Sequence, residues 1–141
     1  MLGRLKAVAA ESGLAFIERS MTFNSRRAQE LAKYAETQDR GRVFHRLVFE
    51  AYFARGENIA RFEVLRRIAA AAGLDPTASE QVIRQGLYTD AVDRDWQRCR
   101  AMGITAVPTF HINGRILVGA HPRAAIEAMV LAAEADRRKE S

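Results

Sequence analysis

The stretch that decides the fold is Gly103-Ile-Thr-Ala-Val-Pro-Thr-Phe-His-Ile-Asn-Gly-Arg-Ile-Leu-Val-Gly-Ala120. Its Asn113-Gly114 pair separates two short apolar runs. This is a strong short-range signal for a β-hairpin, because a type I′ turn needs positive φ at both central residues. The sequence therefore predicts two antiparallel strands, over 109–112 and 115–118, joined by a tight turn.

Seven helices are predicted around this hairpin from apolar residues that recur every three to four positions. The most sharply bounded helix begins at Asp75-Pro76, because Asp caps a helix and Pro fits its first position, and ends at Gly86. A further short strand is predicted over Ala15–Ile17, after a first helix that Gly13 ends. With no repeat and no linker, the prediction is a single compact unit that is predominantly helical.

The hairpin stretch resembles a known family. The pattern Gly-Ile-Thr-x-Val-Pro-Thr-Phe-x-Ile-Asn-Gly over 103–114, followed by Gly119-Ala120 and an amphipathic helix, is similar to the C-terminal part of DsbA-type thiol–disulfide oxidoreductases. The FrnE-like subgroup matches best, and the resemblance covers nearly the whole chain. It implies an α/β, thioredoxin-like fold with a helical domain inserted in its middle.

The resemblance also implies how the chain is divided. Residues 1–23 and 103–135 are expected to form the thioredoxin-like part, 24–102 the helical insertion and 136–141 a charged tail. The first strand and the active-site helix of the family have no counterpart, so we expect one incomplete domain. In the family fold the absent strand would lie between Ala15–Ile17 and the hairpin.

Redox catalysis in this family depends on a Cys-x-x-Cys motif at the start of the first helix. This sequence has one cysteine, Cys99. A single thiol can form a mixed disulfide, but no second thiol is present to resolve it. We therefore predict no catalytic residue and no oxidoreductase turnover by the chain alone.

The surroundings of Cys99 allow two interpretations. Two flanking arginines would favour the thiolate. However, helical spacing places Cys99 on one face with Tyr88, Val92 and Trp96. The second interpretation is favoured, and it predicts a buried cysteine that acts as a small hydrophobic residue.

The family resemblance assigns a substrate-binding role to the loop before the first hairpin strand. Ala106, Val107 and Pro108 match the family's cis-proline loop, so the Val107–Pro108 bond is expected to be cis. In the family the backbone before this proline pairs with an extended substrate peptide, a form of β-augmentation. A peptide or protein thiol is the implied partner.

No metal site and no cofactor are predicted. The three histidines, His45, His111 and His121, lack metal-ligand spacing to one another, to Cys99 or to a carboxylate. Alternation along the first hairpin strand predicts that His111 faces solvent. Phosphate-binding glycine loops and nucleophile elbows are absent from the sequence.

Composition narrows the class of protein. Hydrophobic residues make up 48% of the chain, yet no apolar run is long enough to span a membrane. The net charge of +5 comes from arginines scattered over many helices, so no nucleic-acid partner is predicted. A single cysteine demands no oxidising compartment, and no signal peptide is visible, so a cytoplasmic location is expected.

Three functions remain open at this point. The first is the C-terminal portion of a DsbA-like oxidoreductase whose cysteine pair lies in another segment. The second is a non-catalytic peptide-binding or self-association module of the same fold. The third is a relative of glutathione-linked isomerases and kappa transferases, which share the architecture. Because unpaired strand edges favour association, we expect either a homo-oligomer or a further N-terminal segment.

Overall fold

The computed structural model describes residues 2–18 and 20–139, which form seven α-helices, one π-helical turn and one β-hairpin. The chain divides into two compact units: residues 1–95, called the helical unit, and residues 96–141, called the hairpin unit. The elements are α1 Leu2–Glu11, α2 Arg26–Thr37, α3 Gly41–Phe49, a π-helix Glu50–Ala54, α4 Phe62–Ala71, α5 Pro76–Gln85, α6 Thr89–Ala101, β1 Thr109–Ile112, β2 Arg115–Val118 and α7 Arg123–Lys139.

The core of the helical unit is built by α2, α3, α4 and α5, which pack on one another. Its largest fully buried side chains include Phe44, Leu31, Leu65 and Ile68. On α2 the apolar positions recur at helical spacing, so that one face is buried while the opposite face carries charge. This periodicity predicts the helices correctly from sequence.

Capping residues set the ends of α5 as predicted. Asp75 lies before the helix, and its Oδ1 accepts a hydrogen bond of 2.6 Å from the Ala78 backbone N–H. Pro76 occupies the first turn, where a backbone N–H would have no acceptor within the helix, so the N–H that proline lacks costs no hydrogen bond. The helix ends at Gly86, which adopts the left-handed conformation with φ of 62°.

Ser79 on α5 is a buried hydroxyl for which the described residues provide no hydrogen-bond partner. A buried polar atom without a partner costs about 1–3 kcal/mol. Ser79→Ala removes the oxygen while leaving almost the same volume. We therefore expect the variant to be more stable by about 1 kcal/mol, with a melting temperature roughly 2–4 °C higher.

This expectation is tested by thermal and urea unfolding followed by circular dichroism. Ser79→Val serves as the matched control, because it also lacks the hydroxyl but adds volume to a packed site. An alanine variant that melts below the wild type would show that the hydroxyl has a stabilising partner.

A π-helical turn follows α3 directly and alters the direction of the side chains beyond it. The turn ends before Gly56, whose φ is 64°. The carboxylate of Glu57 then lies against two guanidinium groups, with Arg55 Nε 2.5 Å from Glu57 Oε1 and Arg67 on the other oxygen. Burial raises the pKa of Glu57, but the hydrogen bond from Arg55 and the charge of Arg67 outweigh it, so the pKa is lowered.

The first half of α6 is tied to α2 by polar contacts inside the helical unit. Arg26 Nη2 lies 2.6 Å from Asp93 Oδ1, and Lys33 Nζ lies 2.7 Å from Asp95 Oδ2. The hydroxyl of Thr89 donates to the buried carboxylate of Glu30 at 3.0 Å. Val92, on the same part of α6, is almost fully buried.

The hairpin unit consists of the end of α6, the β1–β2 hairpin and α7. The strands pair with Thr109 opposite Val118 and Ile112 opposite Arg115, in the predicted register. Asn113 and Gly114 both have positive φ, 46° and 76°, as the predicted type I′ turn requires. α7 packs on both strands and buries Ala133.

The strand predicted over Ala15–Ile17 is not present. Residues 14–18 have no regular secondary structure, and the Ile17 N–H donates to the carbonyl of Phe53 at 2.8 Å. A strand requires a ladder of bonds to a neighbouring strand, and an apolar run of three residues does not by itself supply one. The prediction of a strand at this point was wrong.

The predicted subdivision into 1–23, 24–102 and 103–135 stays a prediction, although compactness divides the chain after Asp95. The segment predicted as a charged tail, 136–141, continues α7 as far as Lys139. The last two positions lie outside the described residues. The extension follows from the good helix-forming residues of this stretch.

Candidate functional site

The loop before β1 holds the three residues that the sequence singles out, Ala106, Val107 and Pro108. The Val107–Pro108 peptide bond is cis. All three residues are exposed, and Val107 has 90% of its surface accessible. A large apolar side chain presented in this way lies at the surface of the hairpin unit and is accessible to a partner.

Two hydrogen bonds fix the loop to the hairpin. The Thr109 hydroxyl donates to the Ala106 carbonyl at 2.6 Å, and the Gly119 N–H donates to the Pro108 carbonyl at 2.8 Å. Within the part of the chain that the structure describes, the backbone N–H and C=O of Val107 form no backbone bond. The loop is thus fixed on both sides of Val107, and the backbone N–H and C=O of this residue form no bond within the described chain.

The outer edge of β1 continues this open backbone. The bond from Gly119 to Pro108 makes these two residues a hydrogen-bonded pair, and such pairs alternate along an antiparallel ladder. Phe110 therefore directs its backbone groups toward β2, whereas Thr109 and His111 direct theirs to the other edge. In the described residues the sheet has two strands, so this edge has no neighbouring strand.

Side-chain contacts hold the hairpin against α7. Arg115 Nη2 donates to Asp136 Oδ2 at 2.7 Å, and Arg115 Nε reaches the same oxygen at 3.2 Å. At the turn, Asn113 Nδ2 donates to the Ala133 carbonyl at 3.5 Å. His121 Nε2 lies 2.9 Å from the Val118 carbonyl, at the turn between β2 and α7. These contacts hold the hairpin, and with it the outer edge of β1, against α7.

Cys99 is exposed, so the prediction of a buried thiol was wrong. Val92 is buried on the same helical face, but Trp96 already has 39% of its surface accessible. Helical spacing shows which residues share a face, but it does not show how far along the helix a packing partner extends. An exposed thiol is reachable by small oxidants and by other thiols.

Among the described residues, no group of three or more His, Cys, Asp or Glu side chains has an arrangement suited to a metal ion. His111 is exposed on β1, as alternation predicts. His45 lies on α3 with its Nε2 3.7 Å from Glu36 Oε1, at the surface of the helical unit.

The backbone edge formed by Thr109 and His111 was not singled out from sequence. The signal was present, because the positions of a two-residue hairpin turn fix which residues form hydrogen-bonded pairs. Counting back from Asn113-Gly114 assigns an outward backbone to every second residue of β1. The site thus extends from the proline loop along the strand.

Comparison with known proteins places the chain in a family. The family model described as "DSBA-like thioredoxin domain" matches residues 1–130. The chain belongs to the DSBA-like thioredoxin domain family. Its mostly helical architecture with a small β-hairpin is consistent with a DSBA-like thioredoxin domain, as the residues of the hairpin stretch predict.

A curated relative of this DSBA-like domain is "Uncharacterized protein YwbO" of Bacillus subtilis (strain 168). The two chains are 28% identical over 88 residues, which is 62% of this chain and 44% of the relative. The alignment thus spans less than half the length of the relative.

No helix among the described residues combines the length and the apolar character that crossing a bilayer would take.

Proposed function

We propose that this chain is the substrate-binding portion of a DsbA-type thiol–disulfide oxidoreductase, with Ala106, Val107 and Pro108 as its peptide-contacting loop. The observation that carries the proposal is the open backbone of Val107 beside the unpaired edge of β1. An extended peptide added to this edge gains main-chain hydrogen bonds that do not depend on its sequence. The class of partner is an unfolded or extended polypeptide that contains a thiol or disulfide.

Redox turnover requires two thiols in this mechanism, and the chain has one. We propose that the chain binds its substrate but does not oxidise or reduce it alone. A non-catalytic peptide-binding module would use the same loop, and the exposed apolar residues Leu5 and Val8 on α1 favour self-association as an additional property. The FrnE-like assignment and the cytoplasmic location stay predictions.

Peptide binding is tested with permanently unfolded, reduced and carboxymethylated α-lactalbumin, measured by ¹⁵N-resolved NMR of the full chain. Val107→Pro removes the open N–H and should weaken binding roughly tenfold, since the one main-chain hydrogen bond that this N–H can donate is lost. Val107→Ala keeps the backbone donor and is the matched control, with affinity within about threefold of the wild type.

Shift changes at Thr109 and His111 on titration would support pairing along β1. Shift changes confined to the helical unit, or equal binding by both Val107 variants, would refute the assignment of this loop.

Turnover is tested separately by insulin reduction with dithiothreitol. We expect the wild-type chain and Cys99→Ser to match the protein-free control, because neither has a resolving thiol. Acceleration that survives Cys99→Ser would show that the chain has redox chemistry without a cysteine pair. Acceleration by the wild type alone would assign turnover to Cys99.

A further inference from the structure

The two faces of the β1–β2 hairpin differ in how far they are covered. Residues directly opposite each other on paired strands point to the same face, so Phe110 shares one face with its partner Leu117. His111 shares the other face with its partner Ile116. Phe110 and Leu117 are half-buried, whereas Ile116 has 48% of its surface accessible. Phe110 therefore lies on the covered face of the hairpin.

Helix α7 covers the face that holds Phe110. Arg115 is the partner of Ile112 on this same face, and it donates to Asp136 of α7. α7 packs on both strands of the hairpin. A helix with its side chains is about 10–12 Å wide, whereas neighbouring strands lie only about 4.8 Å apart. A helix that packs on both strands therefore also extends over the space beside them.

The space beside Phe110 is where a partner strand would place one side chain. The outer edge of β1 has no neighbouring strand in the described part of the chain, and its outward backbone groups belong to Thr109 and His111. In an antiparallel partner, the residue opposite Phe110 forms a non-hydrogen-bonded pair with a Cα–Cα distance of about 4.5 Å. This is the closer of the two kinds of pair, and it directs the partner side chain to the α7 face.

The two faces would select different residues in such a partner. A side chain opposite Phe110 meets an aromatic ring under the cover of α7, where aromatic and β-branched residues form the most favourable cross-strand pairs. A polar side chain there loses water without gaining a hydrogen bond. The residues before and after it point to the exposed face, beside Thr109 and His111, where polar side chains keep their contact with water.

We propose that the β1 edge selects extended peptides that place a β-branched or aromatic residue opposite Phe110, between two residues of any polarity. This inference rests on the proposed function, since the same edge binds the peptide backbone. The backbone groups of Thr109 and His111 give affinity that does not depend on sequence, and the ring of Phe110 determines specificity. The partner class is thus narrowed to extended polypeptides with an apolar residue at this one position.

The experiment titrates short peptides into the full chain and follows the ¹⁵N-resolved NMR shifts of Thr109 and His111. The probe is acetyl-Gln-Thr-Ile-Thr-Gln-amide, and the matched peptides carry Phe or Asn in place of the central Ile. All three are uncharged, so the net charge of +5 does not influence their ranking. We expect a dissociation constant on the order of 0.1–1 mM for the Ile and Phe peptides and about 3- to 10-fold weaker binding for the Asn peptide.

Phe110→Ala should reduce the preference for Ile over Asn to within about twofold, because the ring that forms the cross-strand pair is removed. Ile116→Ala is the matched control, since Ile116 lies on the opposite face, and it should keep the wild-type preference. Intermolecular NOEs from the Ile methyl groups of the peptide to the Phe110 ring are expected in the wild type. They keep the test decisive should Phe110→Ala fail to fold.

A form of the Ile peptide that is N-methylated at both Thr residues separates this inference from the proposed function. It lacks the backbone donors and should not bind detectably. Equal affinity for the Ile, Phe and Asn peptides, or an unchanged preference in Phe110→Ala, would overturn selection by Phe110 and leave the proposed function standing. Equal binding of the N-methylated and unmodified peptides would overturn backbone pairing, and the proposed function with it.

Discussion

Phe44→Ala is expected to destabilise the helical unit by about 3–5 kcal/mol, the usual range for removing a buried phenylalanine. Phe44 has no exposed surface and lies in the core with Leu31 and Leu65. The truncation loses the transfer free energy of the ring and enlarges an existing cavity, which the surrounding helices can only partly collapse. Urea unfolding followed by circular dichroism measures the change.

Phe49→Ala is the matched control, because Phe49 lies on the same helix but has 59% of its surface exposed. Its removal is expected to cost less than about 1 kcal/mol, as for most surface substitutions. A loss for Phe44→Ala as small as the one expected for Phe49→Ala would mean that Phe44 is not part of the core, and that the packing of α3 differs from the one described.

Gly86→Ala is expected to lower the free energy of unfolding by about 2–3 kcal/mol. This loss is the sum of two costs, the left-handed backbone conformation of an alanine and the overpacking caused by its Cβ. Gly86 has φ of 62°, which costs a residue with a Cβ roughly 1–2 kcal/mol. In addition, a Cβ built at this position would lie 2.8 Å from the Thr89 hydroxyl oxygen. That hydroxyl donates to the buried Glu30 carboxylate, so displacing it weakens a second interaction.

Gly73→Ala separates the two contributions. Gly73 also has positive φ, 79°, but its Cβ would meet the Arg40 side chain at an ordinary distance of 3.7 Å. We expect this variant to lose about 1–2 kcal/mol, from backbone conformation alone. A Gly86→Ala loss no larger than that of Gly73→Ala would show that Thr89 moves away freely.

The family and much of the local structure follow from the sequence. The Asn113-Gly114 pair specified the hairpin and its register, because a two-residue turn leaves no alternative pairing. Asp75-Pro76 and Gly86 specified the ends of α5, since capping depends on residues adjacent in the chain. The loop of Ala106, Val107 and Pro108 was also singled out from sequence, through the motif over 103–114, and its peptide-binding role stays a prediction.

The tertiary structure decided the features that depend on distant neighbours. Ala15–Ile17 is no strand, because the Ile17 N–H bonds to the Phe53 carbonyl and no strand of the described residues lies beside it. Cys99 shares a helical face with buried Val92 yet is exposed, since periodicity cannot show where a packing partner ends. The cavity beside Phe44 likewise arises only when α2, α3 and the π-helical turn meet. Local signals act over a few bonded residues, whereas burial and cavities are set by contacts between residues far apart in the chain.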